Sequence, residues 1–441
     1  MNKFLLMAVG WLWSVCAWAG IPIQFWMLDN GAKVYLMEVH SLPMVDIQIE
    51  WDAGSRRDPK DMSGLAQATA LMLRKGVKPR DTEPALDENQ LGEAWADLGA
   101  LPHASVSQDR FSLSLRTLTQ PDLLEAAIAL AARQLAEPSF PEAVWQIERE
   151  RWLASWRESN TKPNVQASRA FTRAVYGSHP YGQEVDEISL KAMDTEAMKA
   201  FHATHLRPCR AKVSIVGALT REQASAKAQQ LLQGLPAGVS CELLPWVQEV
   251  QPLAQAQRID VPFESAQAHV FMGQPGIARL HPDFMALTVG NYVLGGGGFV
   301  SRLTEQVREK RGLSYSIYSY FAPGQHAGAF TVGLQTRPDQ AAQAVEVAQQ
   351  VVSEFVAKGP TEAELQASKD FLIGGFALRL DSNRKLMDNL SNIAWFDLPL
   401  DYLDTWTQQV SRLTVNDIQQ AFARNLQPDR MVTVVLGASK P

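Results

Sequence analysis

Four glycines, Gly295, Gly296, Gly297 and Gly298, run into a charged segment that carries Arg308 and, seven residues later, Tyr315, in the stretch "GGGGFVSRLTEQVREKRGLSY". Backbone N–H groups of a glycine-rich turn can cradle an anion. The Lys-Ser/Thr pair that completes a phosphate-binding loop is missing, so a nucleotide site is not expected. From spacing alone Arg308 reads as a solvated helix charge and Tyr315 as a core aromatic. His202 and His205 stand three apart on a helical stretch, a spacing that holds a metal only weakly, and no Glu or third His accompanies them. A surface or half-packed position is expected for both.

The elements that must position these groups follow from periodicity. Val300, Leu303 and Val307 form an apolar stripe at helical spacing, and Gly312 is a natural helix stop. The following "LSYSIYSYF" alternates as a strand that puts Leu313, Tyr315 and Ile317 on one face. Elsewhere "MVDIQIEW" and "RFSLSLRTL" alternate apolar and polar, which marks sheets with one covered face. Strands and helices without a regular βαβ rhythm predict an α+β fold.

The chain also reads as one domain written twice. "AFHATHLRPCRAKVSIVGA" from Ala200 resembles "AFARNLQPDRMVTVVLGA" from Ala421, and "TQPD" at Thr119 resembles "TRPD" at Thr336. The offsets, 221 and 217 residues, keep one register. Repeats at a fixed period mark a repeated structural unit. The join falls in the Pro-rich stretch from Pro236 to Pro262. The predicted organisation is a leader over 1–19, a first domain over 20–235, a linker over 236–260 and a second domain over 261–441.

At 441 residues the chain exceeds one ordinary core, and a formal net charge of −6 offers no basic field for nucleic acid. "MNKFLLMAVGWLWSVCAWAG" has Lys3 ahead of an apolar run and the small-x-small triplet Ala17-Trp18-Ala19. It reads as a cleavable secretory signal with cleavage after Ala19, and so predicts a periplasmic or secreted protein. A retained anchor is the alternative, disfavoured because the run is shorter than a spanning helix. Of the 3 cysteines, Cys209 and Cys241 lie beyond the signal, as either a disulfide or two buried thiols.

The duplicated α+β pattern, the segment "GNYVLGGGGFVSRLTEQVREKRGLSYSIYSYF" and "YGSHPYG" with its downstream "LRPCRAKVSIVGAL" together resemble the M16 (pitrilysin-like) zinc peptidases, in particular the two-domain processing-peptidase branch. The resemblance covers nearly all of the chain beyond the leader. It implies two homologous domains of the LuxS/MPP-like metallohydrolase fold, each a mainly antiparallel sheet packed with helices.

Active members carry His-x-x-Glu-His on a helix after an Ala-Gly-Ser turn, two His binding zinc and the Glu taking a proton from the metal-bound water. Here "WDAGSRRDPKDMSGLAQATALMLRKG" supplies the context without the ligands: Gln67 and Leu71 stand at the His positions and Ala70 at the base position. The third-ligand position falls on Ala154 or Ser155. No metal or other cofactor is therefore expected in this chain.

In the family an Arg and a Tyr at the spacing of Arg308 and Tyr315 hydrogen-bond the substrate carbonyl and stabilise its oxyanion. The resemblance thus implies a non-catalytic subunit of a heterodimeric metallopeptidase. A zinc-binding partner subunit would supply the metal, Gly295 to Gly298 would admit an extended peptide, and Arg308 and Tyr315 would complete the pocket. An inactive structural or peptide-holding scaffold of the same fold is the alternative.

Overall fold

The computed structural model describes residues 21–80, 83–236 and 241–437; the expected leader lies outside them, as does part of the expected linker. The first half runs β1 (Ile23–Met27), β2 (Lys33–Glu38), β3 (Met44–Trp51), α1 (Leu65–Met72), β4 (Gly76–Val77), β5 (Leu86–Asp87), α2 (Glu88–Asp97), β6 (Leu101–Val106), β7 (Phe111–Leu118), α3 (Pro121–Ala136), α4 (Glu142–Ser159), α5 (Pro163–Tyr176), α6 (Glu187–Ala192), α7 (Thr195–His205), β8 (Lys212–Gly217) and α8 (Arg221–Leu232). The second half runs β9 (Gln257–Val261), β10 (Ala268–Pro275), α9 (Phe284–Asn291), β11 (Ser316–Phe321), β12 (Ala329–Thr336), α10 (Ala341–Lys358), α11 (Glu362–Gly374), α12 (Asn383–Trp395), α13 (Tyr402–Arg412), α14 (Val415–Asn425) and β13 (Val432–Leu436). The mixed α/β composition agrees with the α+β expectation.

Each half builds one large sheet, and β4 pairs with β5 in a separate two-stranded sheet in the first half. The first has the order β1-β2-β8-β3-β7-β6 and the second β11-β12-β10-β13-β9. Pairing is antiparallel except for β2 with β8 and β9 with β13. The repeat is visible element by element, with β7 answered by β12, β8 by β13 and α7 by α14. β9 begins at Gln257, inside the stretch read as linker, because its alternating "QRIDV" pairs with β13.

The sequence pattern predicted one covered face per sheet, and the structure covers much of both. On β3 the core face is Val45, Ile47, Ile49 and Trp51, packed under the helices of its own half. The opposite face of each sheet receives a helix from the other half. α12 lays Leu386, Met387, Leu390 and Ala394 on Tyr35, Met37 and Val216 of the first sheet. α5 lays Ala167, Phe171 and Val175 on Val432, Val434 and Leu436 of the second. The two helices occupy equivalent places in the repeat, so the straps are reciprocal. Each fully buried aliphatic or aromatic side chain on them contributes about 1.5–3 kcal/mol.

A polar knot adds to the straps. The Asp109 carboxylate, at the β6–β7 turn, accepts from Arg56 Nε at 2.8 Å, from the Tyr181 hydroxyl at 2.7 Å and from the Gln325 backbone N–H at 2.9 Å. Gln325 lies between β11 and β12, so the carboxylate ties the second half to the first. Burial and the neighbouring Asp109 charge hold the Tyr181 phenol far above its ordinary pKa, so it stays a donor.

Cys209 and Cys241 are joined in a disulfide, which decides between the two readings of that pair. The bridge fastens the chain leaving α8 to the turn before β8 across a separation of 32 residues. Cys241→Ser, or reduction, is expected to lower stability by about 3–4 kcal/mol from loop-closure entropy, read as a fall in the urea midpoint that reductant no longer changes in the variant.

Candidate active-site elements and the vacated metal motif

The glycine run is less of a loop than its sequence suggests. Tyr292 to Gly296 continue α9 as a widened turn, and Gly295 is buried where a Cβ would come within 2.3 Å of Ser319 Oγ and 2.6 Å of the Ser319 nitrogen. This glycine is required by close packing of the turn on β11, not by flexibility. Gly295→Ala is expected to cost about 1–3 kcal/mol by overpacking, seen as a lower thermal midpoint. Gly298, by contrast, has φ +62° and open space around its missing side chain.

That turn throws Phe299 and Val300 outward, 71% and 76% exposed. Val300 therefore leaves the expected stripe, while Leu303 and Val307 are fully buried as expected. The turn from Thr304 to Glu309 is wide, and the chain passes Gly312 at φ +59° before entering β11.

Tyr315 precedes that strand and is 83% exposed, while Leu313 and Ile317 on either side are buried. The expectation of a shared face fails because regular alternation starts only at Ser316. Ser314 Oγ instead pins the entry, accepting from the Ser316 N–H at 3.2 Å and lying 2.7 Å from both the Ser316 and Gln335 carbonyls, which share its one proton. The consequence is a cluster: the Arg308 guanidinium carbon lies 5.1 Å from the Tyr315 ring centre and 4.7 Å from that of Phe299. The charge is held between two aromatic planes, with Glu309 as its exposed ion-pair partner at 3.3 Å. Among the described residues the Tyr315 hydroxyl has no hydrogen-bond partner. Phe299 was not singled out in the sequence, although an aromatic directly after a glycine run is the signal that could have found it. Beyond Ser316 a groove of about 530 Å³ runs between α5 and the second sheet, walled by the stacked Tyr318 and Tyr320.

In the first half, α1 carries the vacated motif. Gly64 at φ +101° starts the helix, and Asp58 accepts the N–H groups of Gly64 and Ala66 at 2.8 and 2.9 Å. Burial pushes its carboxyl up to about 7 against those donors. Gln67 is exposed, Leu71 one turn on is half-buried and Ala70 is buried. Ala154 and Ser155 are exposed on α4. The neighbouring Glu148 is occupied, taking Lys75 Nζ at 3.0 Å and Arg151 at 2.8 Å. A hydrocarbon, a methyl and an amide cannot replace two imidazoles and a carboxylate, so the donor set does not fit zinc. Among the described residues no group of three His, Cys, Asp or Glu side chains has a geometry to hold a metal.

Of the two histidines singled out on α7, His202 is buried and His205 is half-buried, as expected for a half-packed position. The expectation of a surface or half-packed His202 gives way to a buried ring bonded through Nε2 to the Leu135 carbonyl at 2.8 Å. The His205 ring packs on Phe201, and desolvation lowers its pKa to about 4. No hydrogen bond or ion pair among the described residues joins Gln67 to Arg308 or Tyr315.

Comparison with known proteins places this geometry. The model of the peptidase M16 inactive domain matches residues 192–372. A crystal structure of a peptidase M16 inactive domain from Pseudomonas fluorescens is 33% identical, covers 95% of this chain and 98% of that one, and superposes with a TM-score of 0.88. The non-peptidase homolog YmxG of Helicobacter pylori is 26% identical over 412 residues, 88% of each chain. An uncharacterized zinc protease of Mycobacterium leprae is 25% identical over 417 residues, 93% of this chain and 90% of that one. The chain belongs to the M16 peptidase family, as a member without the zinc-binding motif.

Proposed function

We propose that this chain is the non-catalytic subunit of a heterodimeric M16-type metallopeptidase, exported to the periplasm or beyond. The observation that carries the reading is the surface cluster of exposed Phe299 and Tyr315 around the half-buried Arg308. A guanidinium held between two aromatic rings, with only the exposed Glu309 as ion-pair partner among the described residues, lies beside a surface phenol that has no hydrogen-bond partner among them, and the two form a preformed pair of donors. The partner subunit's zinc would supply a polarised water. The Arg308 N–H and Tyr315 O–H groups would donate to the peptide carbonyl oxygen, where negative charge grows during attack.

The two large sheets end in β1 and β6 and in β11 and β9, and an extended peptide would pair with the β6 edge or with β11 directly after Tyr315. The exposed Gly298, Phe299 and Val300 would border its path. The Cys209–Cys241 bridge supports an oxidising compartment. Among the described residues no helix is long and apolar enough to cross a membrane.

Co-expression with an M16 subunit that carries His-x-x-Glu-His, followed by a peptidase assay, tests the reading. The chain alone should hold no stoichiometric zinc and cleave nothing, and the pair should cleave. A stable pair whose rate equals that of the zinc subunit alone would leave the scaffold role. Chelator-sensitive cleavage by this chain alone would overturn both.

A further inference from the structure

The turn between β11 and β12 borrows its acceptors from outside the second half. The Gln325 N–H goes to Asp109 at 2.9 Å, that of His326 to the Tyr181 hydroxyl at 3.2 Å, that of Ala327 to Glu249 at 2.8 Å and that of Ala329 to the Tyr176 hydroxyl at 2.8 Å. Asp109, Tyr181 and Tyr176 belong to the first half, and Glu249 to the segment that joins the halves.

His179 stands behind this set. It caps the short turn Pro180–Gly182, its Nδ1 accepting from the Tyr181 N–H at 3.1 Å. The residue is 8% exposed, and its ring packs on Tyr181 with centres 4.9 Å apart and on Tyr176 at 6.4 Å. A neutral imidazole whose Nδ1 accepts carries its proton on Nε2. A second proton has one place to go, Nδ1, where it sets a donor against the Tyr181 N–H and ends that bond.

The surroundings decide when that proton is taken up. Burial opposes the cation most, followed by the His326 ring, which faces His179 at 5.2 Å between centres, and by the Arg56 charge. The Gln248 carbonyl and Glu249, which lies 3.3 Å from His326 Nδ1, favour it. Asp109 is engaged with Arg56 and Tyr181. On the open side stand Lys60, Arg173, Glu184 and Asp186, with Arg173 and Glu184 paired at 3.3 Å. The balance holds the His179 pKa below its ordinary value. Stability from the neutral ring is then fully present above the unfolded value of about 6.5 and is lost as pH falls through the lowered folded one.

We infer that His179 is an acid-sensitive latch: a second proton on its ring frees Tyr181 from its turn, and with it the β11–β12 turn of the second half, while the strap helices α5 and α12 stay buried. The latch does not depend on the role proposed for Arg308 and Tyr315, although β11 starts directly after Tyr315.

Hydrogen exchange read by mass spectrometry on the full chain tests it at about pH 7.5 and about pH 5, either side of the histidine range. After correction for the intrinsic pH dependence of exchange, protection of Ala322 to Phe330 should fall by about tenfold or more at the lower pH, the scale of a lost buried hydrogen bond, while that of α5 and α12 holds. His179→Asn keeps a side-chain acceptor for the Tyr181 N–H and removes the titration, so its β11–β12 turn should stay protected at both values. His326→Gln should retain the fall and move it to higher pH, because it removes a ring that opposes the charge. Equal protection of the turn at both pH values in the natural chain, the same fall in His179→Asn, or no fall in His326→Gln would overturn the inference. A parallel loss of protection in α5 and α12 would be general acid unfolding and would overturn it as well.

Discussion

Arg308→Ala is expected to lower turnover of the assembled peptidase by about 10²–10³-fold, with the complex still forming and KM changed little. The scale is that of losing one preorganised donor to a developing oxyanion. In the proposed role the side chain would stabilise charge that appears only in the transition state, so its loss would fall on kcat rather than on substrate binding. Tyr315→Phe removes a single O–H and keeps the ring beside the guanidinium, and should cost less than Arg308→Ala. Steady-state kinetics of the co-purified pair gives both numbers. Unchanged turnover in both variants would remove the assigned role. Phe299 bears on the same measurement, since without that ring the guanidinium keeps its charge and loses one of the two planes that orient it.

The second large effect is on stability. Asp109→Ala should cost about 3–5 kcal/mol, the penalty for breaking a buried pair from one side. Arg56 would keep Asp52 as a partner but lose its Nε acceptor, while the Tyr181 hydroxyl and the Gln325 N–H would lose theirs in the same step. Asp109→Asn retains an acceptor of similar shape and should lose less. Urea unfolding followed by both far-UV circular dichroism and tryptophan fluorescence would show a lowered midpoint. Coincidence of the two probes would show both halves unfolding together. A midpoint within error of the parent would refute the knot as a stabilising contact.

Much of the fold was legible because the repeat and the alternation are local properties. "MVDIQIEW" and "RFSLSLRTL" became β3 and β7, paired in register from Met44 with Leu118 to Trp51 with Phe111. What escaped were features decided by distant packing. Nothing in the local sequence of α5 or α12 says that each is buried on the sheet of the opposite half. Gly295 looked mobile because a glycine run looks the same whether it is free or pressed against Ser319.

At the candidate site the residue types were readable but the exposures were not. Tyr315 sits between two buried neighbours, and its alternation was lost to a turn held by Ser314, whose bonds to residues 316 and 335 are invisible in a linear pattern. The vacated motif was legible outright, since a missing imidazole needs no coordinates to be missed.

The reciprocal straps make this chain, in effect, an exchange of parts between two copies of one ancestral unit now carried on a single polypeptide. Each copy gives away the helix that would have closed its own sheet and receives the other's. Neither half is then a self-sufficient folding unit: cut apart, each would present a bare apolar sheet to water and carry a helix with nowhere to bury it. The conventional boundary drawn in the linker divides the sequence in two, but the smallest piece that can close both sheets is the whole described chain.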